Sequence, residues 1–165
     1  MSKTITTSPG GLSDEGVRSA LGELQRNAVD MVLNTAGLTT GSSAKAKVKI
    51  ANTIYAIIDG ALVKKTTAEI VLSGTVTNAK FNVYVLTMIA DGTVTATMGT
   101  EGASLGAVVF PAVPADSVVI GFVIVNPTGT GNFVGGTTNL DDATVVPNAV
   151  YVNTPFPFNI NAIAL

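Results

Sequence analysis

The chain contains no histidine, no cysteine and no tryptophan, and no lysine or arginine follows Lys80. The first absences remove the imidazole base of most nucleophilic triads, thiolate chemistry, and the nitrogen and sulfur ligands that transition metals favour. The missing basic residues leave the last 85 residues without a side chain that clamps a phosphate or a carboxylate. We therefore expect a structural or binding protein, not an enzyme, with no cofactor, no metal and no small-molecule substrate.

Charge is also scarce, since charged residues make up 12% of the 165 residues, about half the usual share. The length suits one domain with a single core. A monomer with so few charges covers its surface poorly, so we expect a homo-oligomer, with a trimer preferred over a dimer. Residues 81–165 carry five acidic side chains and no basic one, which argues against a nucleic-acid partner. The densest apolar run is too short to span a bilayer, so no membrane partner is expected.

Residues 1–37 predict a polar arm followed by one amphipathic α-helix. Pro9-Gly10-Gly11 breaks regular structure in the arm, and Ser13 is a suitable N-cap, with Asp14 and Glu15 in the first helical turn. Apolar residues then recur at spacings of three and four, which predicts a helix ending near Asn34. This stripe is a candidate interface, packed either on the rest of its own chain or on neighbouring helices about a symmetry axis. Its members are Val17, Leu21, Leu24, Ala28 and Met31.

Residues 38–43 predict a flexible link, after which the apolar period becomes two. Lys45, Lys47 and Lys49 alternate with apolar residues and predict a strand with one charged face. Three interpretations of this lysine row are open. It blunts an edge strand against aggregation, it is a solvated face, or it meets an acidic surface on a second copy or on a partner.

Residues 44–152 predict an antiparallel β-sandwich or jelly-roll-like domain of eight or nine short strands. Asp59-Gly60 and Asp91-Gly92 each separate two strand-like runs and predict hairpin turns. Further strands are expected at residues 69–72, 107–110, 118–125 and 144–152. The expected inward side chains are those of Val48, Ile50, Ile57, Ile70, Leu72, Val83, Val85, Val119, Phe122 and Ile124.

The tail, residues 153–165, carries no charged side chain. Pro155 and Pro157 exclude a central strand there. Phe156 and Phe158 are costly to leave in water, at about 25 cal/mol per Å² of apolar surface. We expect them to be buried against the β-domain or against another chain, which makes the tail a second candidate interface.

Catalysis by a carboxylate pair is the enzyme hypothesis that the missing histidine leaves open. Seven of the eleven acidic residues lie in expected turns or loops or at the expected helix start, and Glu23 and Asp30 lie on the expected helix away from its apolar stripe. Glu69 and Glu101 are the two that remain. No aromatic subsites of the kind a sugar cleft uses accompany them, so we do not expect a glycosidase.

Three stretches resemble a recurrent pattern in virion proteins of tailed bacteriophages. They are residues 115–125 (ADSVVIGFVIV), residues 131–145 (GNFVGGTTNLDDATV) and residues 51–60 (ANTIYAIIDG). Such proteins are small head components described as capsid decoration, cement or head-fibre proteins. The resemblance implies a β-sandwich that self-assembles, binds the major capsid protein, and resides in the virion after assembly in the host cytoplasm. It supplies no catalytic residues.

Two alternatives accompany this expectation. The first is a tail, neck or fibre-base component of the same particle. The second, from another class, is a carbohydrate-binding β-sandwich module, which three tyrosines and no tryptophan argue against because such modules stack aromatic rings on sugars. For the head protein we expect attachment through residues 1–36, with the β-domain facing outward.

Overall fold

A computed structural model of the chain describes residues 30–154. The regular secondary structure of this part is mainly β with antiparallel pairing, as the sequence predicts, and its one short 3-10 helix is Leu105–Ala107. The strands are β1 (Met31–Val32), β2 (Leu38–Thr40), β3 (Lys47–Ile50), β4 (Ile54–Ile58), β5 (Ala61–Lys65), β6 (Ala68–Val71), β7 (Thr75–Val76), β8 (Asn82–Ile89), β9 (Val94–Met98), β10 (Ser117–Val125), β11 (Phe133–Val134) and β12 (Val150–Asn153).

The strands β1 to β6 form one meander of three long strands, each interrupted near its middle. Leu38 on β2 lies opposite Ile50 on β3. Val32, six residues earlier, lies opposite Ala56, six residues later, so the β1–β4 pairing continues the same register. β5 and β6 line the other edge of β4 and β3. The six short strands therefore act as a single antiparallel layer.

Two asparagine side chains bridge neighbouring strands at the point where this meander is interrupted. Asn34 donates through Nδ2 to the Thr53 carbonyl at 2.7 Å and accepts the Tyr55 N–H through Oδ1 at 2.8 Å. Asn52 donates through Nδ2 to the Thr35 carbonyl at 3.2 Å. A side-chain amide has both a donor and an acceptor, so it replaces a peptide group of the ladder here.

The second large sheet has the strand order β12-β10-β8-β9, and its two central strands pair along their whole length. The register shifts between Val119 and Gly121, which marks a β-bulge. Gly121 packs against Leu38 of the meander and against β12 of its own sheet. A Cβ atom there would lie 2.5 Å from Leu38 Cδ1 and 2.6 Å from the Val152 carbonyl oxygen. This close packing on two sides requires glycine at the position.

Buried side chains from both layers form one main core. Burying each large apolar side chain contributes about 1.5–3 kcal/mol. The layers also meet at one edge, where the Leu38 N–H donates to Asn153 Oδ1 at 2.7 Å and the Thr40 and Tyr151 hydroxyls are hydrogen-bonded at 2.8 Å. The largest fully buried members of this core include Tyr84, Leu86, Met88, Ile50, Ile54, Ile58, Ile120 and Phe133.

The opposite face of the β12-β10-β8-β9 sheet is apolar as well. Val83, Val85 and Val119 are buried there in a second, small cluster. The cluster is completed by Val108 and Val113, which belong to residues 99–116, here named the covering segment. The sheet is thus covered on both faces, by the meander on one side and by the covering segment on the other.

The expected inward residues divide between these two clusters. Val48, Ile50 and Leu72 are buried in the main core, and Ile70 packs against it. Val83, Val85 and Val119 are buried too, but on the face opposite the main core, and Phe122 packs half-buried beside them. Ile124, opposite Val83, shares that face. Ile57 is half-buried and alternates with the fully buried Ala56 and Ile58, so it points away from the core and its prediction is wrong.

Both Asp-Gly hairpins are confirmed. Asp59 and Gly60 have φ values of 50° and 71°, the left-handed pair that a two-residue type I′ turn needs. Asp91-Gly92 lies at the tip between β8 and β9, where Asp91 Oδ1 accepts the Thr93 N–H at 2.6 Å.

Two predictions for the start of the domain are wrong. The helix does not run to Asn34, because Met31–Val32 is β1 and pairs with β4; residues 13–29 lie outside the described residues. Residues 38–43 are not a flexible link, because Leu38–Thr40 is β2 and Leu38 is buried. In both places the pairing with a neighbouring strand outweighs the local pattern. The β-domain therefore begins before residue 38.

Two predicted strands are also corrected. Residues 107–110 contain the end of the 3-10 helix and a single bridge between Val109 and Thr100. Residues 144–149 form turns, because Asp142 accepts the Thr144 N–H and the Val146 N–H donates to the Asp142 carbonyl; β12 begins only at Val150. The short strands β1, β2, β7 and β11 were not expected, since two or three residues carry no readable alternation.

Candidate interaction surfaces

The three lysines of the predicted row occupy two different environments. Lys47 and Lys49 alternate with buried residues on β3, which is the middle strand of β2-β3-β6, so the edge-strand interpretation is wrong. Lys45 lies in the turn before β3, with its Nζ 3.3 Å from Asp141 Oδ2. Both side chains of this pair are about half exposed, at 52% and 47%, so the pair contributes about 1 kcal/mol or less.

Glu69 lies opposite Lys49 and organises the neighbouring turn. Its carboxylate accepts the Ser43 hydroxyl and the Ser43 and Ser42 N–H groups, the last two at 2.8 and 2.7 Å. These hydrogen bonds, the Ser43 hydroxyl first, lower the pKa of Glu69 to about 2. Lys49 Nζ donates to Ser42 Oγ at 2.8 Å. Because Lys49 lies beside this carboxylate and not in an apolar pocket, it does not resemble the lysine that activates a nucleophilic serine.

Glu101 and Asp142 hold loops in the same way. Glu101 accepts the Thr77 N–H at 2.9 Å, and hydrogen bonds from the Thr77 backbone and side chain lower the pKa of Glu101. Hydrogen bonds from the hydroxyl and the N–H of Thr144 lower the pKa of Asp142. A glycosidase needs a general acid with a raised pKa. The pKa values of Glu69 and Glu101 are both lowered, which is opposite to the shift that a general acid requires.

Two further observations bound the chemistry of residues 30–154. Among them no group of three or more acidic, histidine or cysteine side chains is placed to hold a metal ion. The same part of the chain has no helix long and apolar enough to cross a membrane.

An apolar patch covers the outward face of β1, β4 and β5 near the Asp59-Gly60 turn. Leu62 on β5 lies opposite Ile57 on β4 and is 68% exposed. Met31 on β1 lies opposite Ile57 from the other side, and the Leu33 N–H donates to the carbonyl of Tyr55, which is 39% exposed. We name this set the hairpin patch: Met31, Leu33, Tyr55, Ile57 and Leu62.

A second apolar patch lies on the covering segment. Leu105, Val109 and Phe110 are 51%, 61% and 46% exposed, and we name them the covering patch. Phe110 packs edge-on against Phe122, with 5.6 Å between ring centroids, and Val109 is held by the backbone bridge to Thr100. The patch is therefore presented on ordered backbone above the small cluster.

The remaining candidate interface residues lie outside the described residues: Val17, Leu21, Leu24, Ala28, Phe156 and Phe158. The structure does show where their segments join the domain. Asp30 Oδ1 accepts the Asp59 N–H at 2.8 Å, so the N-terminal segment joins beside the hairpin patch. Thr154 is buried and its hydroxyl donates to the Val119 carbonyl at 3.0 Å. The tail therefore leaves from the bulge of β10.

Sequence reasoning missed both patches. A signal for the hairpin patch exists, because Ile54–Ile58 is apolar at every position and so has no polar face to turn to solvent. The covering patch has a weaker signal, since Val108, Val109 and Phe110 are consecutive and only the first is needed by the small cluster. A search of protein-family models, of curated proteins and of solved structures gives no match to this chain. These comparisons therefore assign it no family and no function.

Proposed function

We propose that this chain is a structural component of a tailed-bacteriophage virion that binds the major capsid protein and stabilises or decorates the head. The observation that carries the proposal is the covering patch, three exposed apolar side chains on ordered backbone. A patch of this kind marks a site of protein contact. The resemblance of residues 51–60, 115–125 and 131–145 to phage virion proteins supplies the kind of particle.

We also propose that the two layers form a β-sandwich. The meander and the β12-β10-β8-β9 sheet share one main core, and their edges are joined by the Leu38–Asn153 and Thr40–Tyr151 hydrogen bonds. A rigid domain of this type suits a virion protein, because it presents the same surface many times without needing chemistry.

The covering patch faces the capsid in this proposal. Phe110 is the central anchor, because aromatic side chains dominate the binding energy of protein interfaces. The expected attachment through residues 1–36 is narrowed to residues 1–30. Residues 31–36 belong to the meander, and Val32 and Ala36 are fully buried.

Purified virions of the phage that encodes this chain provide the test of placement. A head protein is present in a fixed ratio to the major capsid protein, set by the capsid lattice, which quantitative mass spectrometry measures. A few copies per particle place the chain in the tail, neck or fibre base instead. Absence from virions refutes the proposal altogether.

A variant pair tests the surface. Phe110→Asp places a charge in the covering patch, and we expect it to reduce occupancy on heads at least about tenfold, as loss of a hot-spot side chain does. Val71→Asp is the matched control, since Val71 is 55% exposed on β6 outside both patches. Equal occupancy of the two variants shows that the covering patch does not face the capsid.

The oligomeric state is tested separately. We propose that the chain self-associates, preferably as a trimer, because low charge and the covering patch leave surface that one copy does not cover. Sedimentation equilibrium over micromolar concentrations should give a multiple of 16.7 kDa. A mass of one chain at every concentration contradicts this part.

A further inference from the structure

The hairpin patch is an apolar sheet face that no other described element covers. Four of its side chains come from the adjacent strands β1, β4 and β5, and Leu33 directly follows β1. Leu62, on the edge strand β5, is 68% exposed. Lys64 borders it, with Nζ 6.0 Å from the Tyr55 ring centroid. A contiguous face of this kind calls for an apolar partner.

The position of Asp30 limits what that partner can be. Asp30 precedes β1 directly and is fixed to the hairpin by its hydrogen bond with the Asp59 N–H. The first side chain after it that belongs to the patch is Met31. Residues 1–29 therefore join the domain at the rim of the hairpin patch and not at a distance from it.

The N-terminal segment has the pattern and the length to fill this face. Within residues 14–26 its stripe, Val17, Leu21 and Leu24, has the period of one helix face. A helix of residues 14–26 is about 20 Å long at 1.5 Å per residue, whereas the five residues of β4 span about 17 Å. Asn27–Asp30 then provides a connection of four residues, within the usual range for a helix that returns onto a strand.

We propose that residues 14–26 of the same chain form a helix that packs its apolar stripe on the hairpin patch. The charged residues Arg18, Glu23 and Arg26 lie off the stripe and face solvent. The occupant is the chain's own segment and not that of a second copy, because a short covalent connection gives an effective concentration in the millimolar range. Of the N-terminal segment, residues 1–12 then remain for contacts with other molecules.

Arginine-specific proteolysis tests this proposal directly, because Arg18 and Arg26 are the only arginines of the whole chain. Packing against the sheet should slow cleavage at both sites at least about tenfold relative to a synthetic peptide of residues 10–30, since cleavage follows the population of the open form. Leu62→Asp should restore most of the lost rate. Val71→Asp, on the same outward face of the meander but outside the patch, should not.

Two results overturn the proposal. One is wild-type cleavage at the rate of the peptide. The other is equal acceleration by Leu62→Asp and Val71→Asp. Circular dichroism of both variants establishes that the β-domain stays folded, which is expected because both side chains are exposed.

A disulfide experiment distinguishes the chain's own segment from that of a second copy. The chain has no cysteine, so paired variants report cleanly. Leu62→Cys with Leu21→Cys should oxidise to a cross-link within one chain, and Leu62→Cys with Arg18→Cys should cross-link at least about tenfold more slowly, because position 18 lies off the stripe. Cross-linked dimers from the first pair, at a yield that rises with concentration, refute intramolecular packing.

Discussion

Alanine substitutions at three glycines distinguish the cost of crowding around a residue from the cost of an unfavourable backbone conformation. At Gly121 φ is +153°, and an added Cβ atom meets both Leu38 and the Val152 carbonyl. At Gly131 φ is +93° with no atom within 4 Å of the added Cβ atom. Gly106 also has open space, without a positive φ. Alanine at position 121 therefore adds both crowding and backbone strain. Alanine at position 131 adds backbone strain alone, and alanine at position 106 adds neither.

The expected losses in the free energy of unfolding follow from these differences. Crowding in a packed region costs about 1–3 kcal/mol, and a side chain in a sparsely populated φ region costs about 1–3 kcal/mol. Alanine recovers about 0.4–1 kcal/mol by restricting the unfolded chain. Gly121→Ala should thus lose about 2–4 kcal/mol, because the Val152 carbonyl cannot move aside as the Leu38 side chain can. Gly131→Ala should lose about 1 kcal/mol, and Gly106→Ala, with neither cost, should gain about 0.4–1 kcal/mol.

Urea unfolding followed by far-ultraviolet circular dichroism measures the series, with the slope of the transition checked for a common unfolded state. The order of stability should be Gly106→Ala, then Gly131→Ala, then Gly121→Ala. If Gly121→Ala is as stable as Gly131→Ala, Gly121 does not pack as closely against Leu38 and the Val152 carbonyl as the structure shows.

The remaining predictions concern hydrogen-bonded side chains. The folded state lowers the pKa of Glu69 from 4.5 to about 2, so its carboxylate stabilises the fold above about pH 4.5 and this contribution is lost as the pH falls toward 2. The melting temperature of wild type should therefore exceed that of Glu69→Gln at pH 6, and the difference should vanish near pH 2; a constant difference contradicts the assignment. Tyr84→Phe should be neutral or raise the free energy of unfolding by about 1 kcal/mol, because the Tyr84 hydroxyl is buried with no hydrogen-bond partner among residues 30–154. Tyr151→Phe is its counterpart and should lower that free energy by about 1 kcal/mol, since it breaks the bond to Thr40, and chemical denaturation of both variants checks the opposite signs.

Local chemistry made part of the fold predictable. Asp59-Gly60 adopts the turn that its residue types favour, since glycine and aspartate enter the left-handed region at low cost. The run at residues 118–125 forms β10 almost to the residue, because seven apolar residues and one glycine after a turn signal have few alternatives. Mainly antiparallel β-structure follows from features of this kind, which depend on neighbours in the sequence.

Features that depend on distant residues escaped prediction. Met31 and Val32 continue a helical stripe, yet they form β1 because β4 offers them the pairing partners Ile57 and Ala56 later in the chain. Val83 and Val85 were correctly expected to be buried, but nothing local shows that Tyr84 and Leu86 face the larger core. Alternation identifies two faces of a strand and not which layer covers each of them.

The candidate surfaces show the same division. The lysine row was predicted from alternation alone. Lys45 does not belong to it, because its Nζ lies 3.3 Å from Oδ2 of Asp141, almost a hundred residues later in the chain. Glu69 looked unexplained because the serines that it binds are held near it only by the pairing of β3 with β6. The exposed hairpin patch was implied by the uninterrupted apolar run of β4, but its exposure required knowing that no described strand lies above it.

The apolar character of both faces of the β12-β10-β8-β9 sheet connects the fold to the proposed function. A sheet of this kind needs a second layer on each side, and the meander supplies a complete one. The covering segment, which is mostly loop, forms the second layer. It buries Val83, Val85 and Val119 but leaves its own Val109 and Phe110 exposed. Enlarging that layer by association, with a capsid or with another copy, removes this remaining apolar surface from water without any change in the sheet beneath. Such a surface adds little to the stability of the free chain, so its presence is better explained by contact with a partner than by folding.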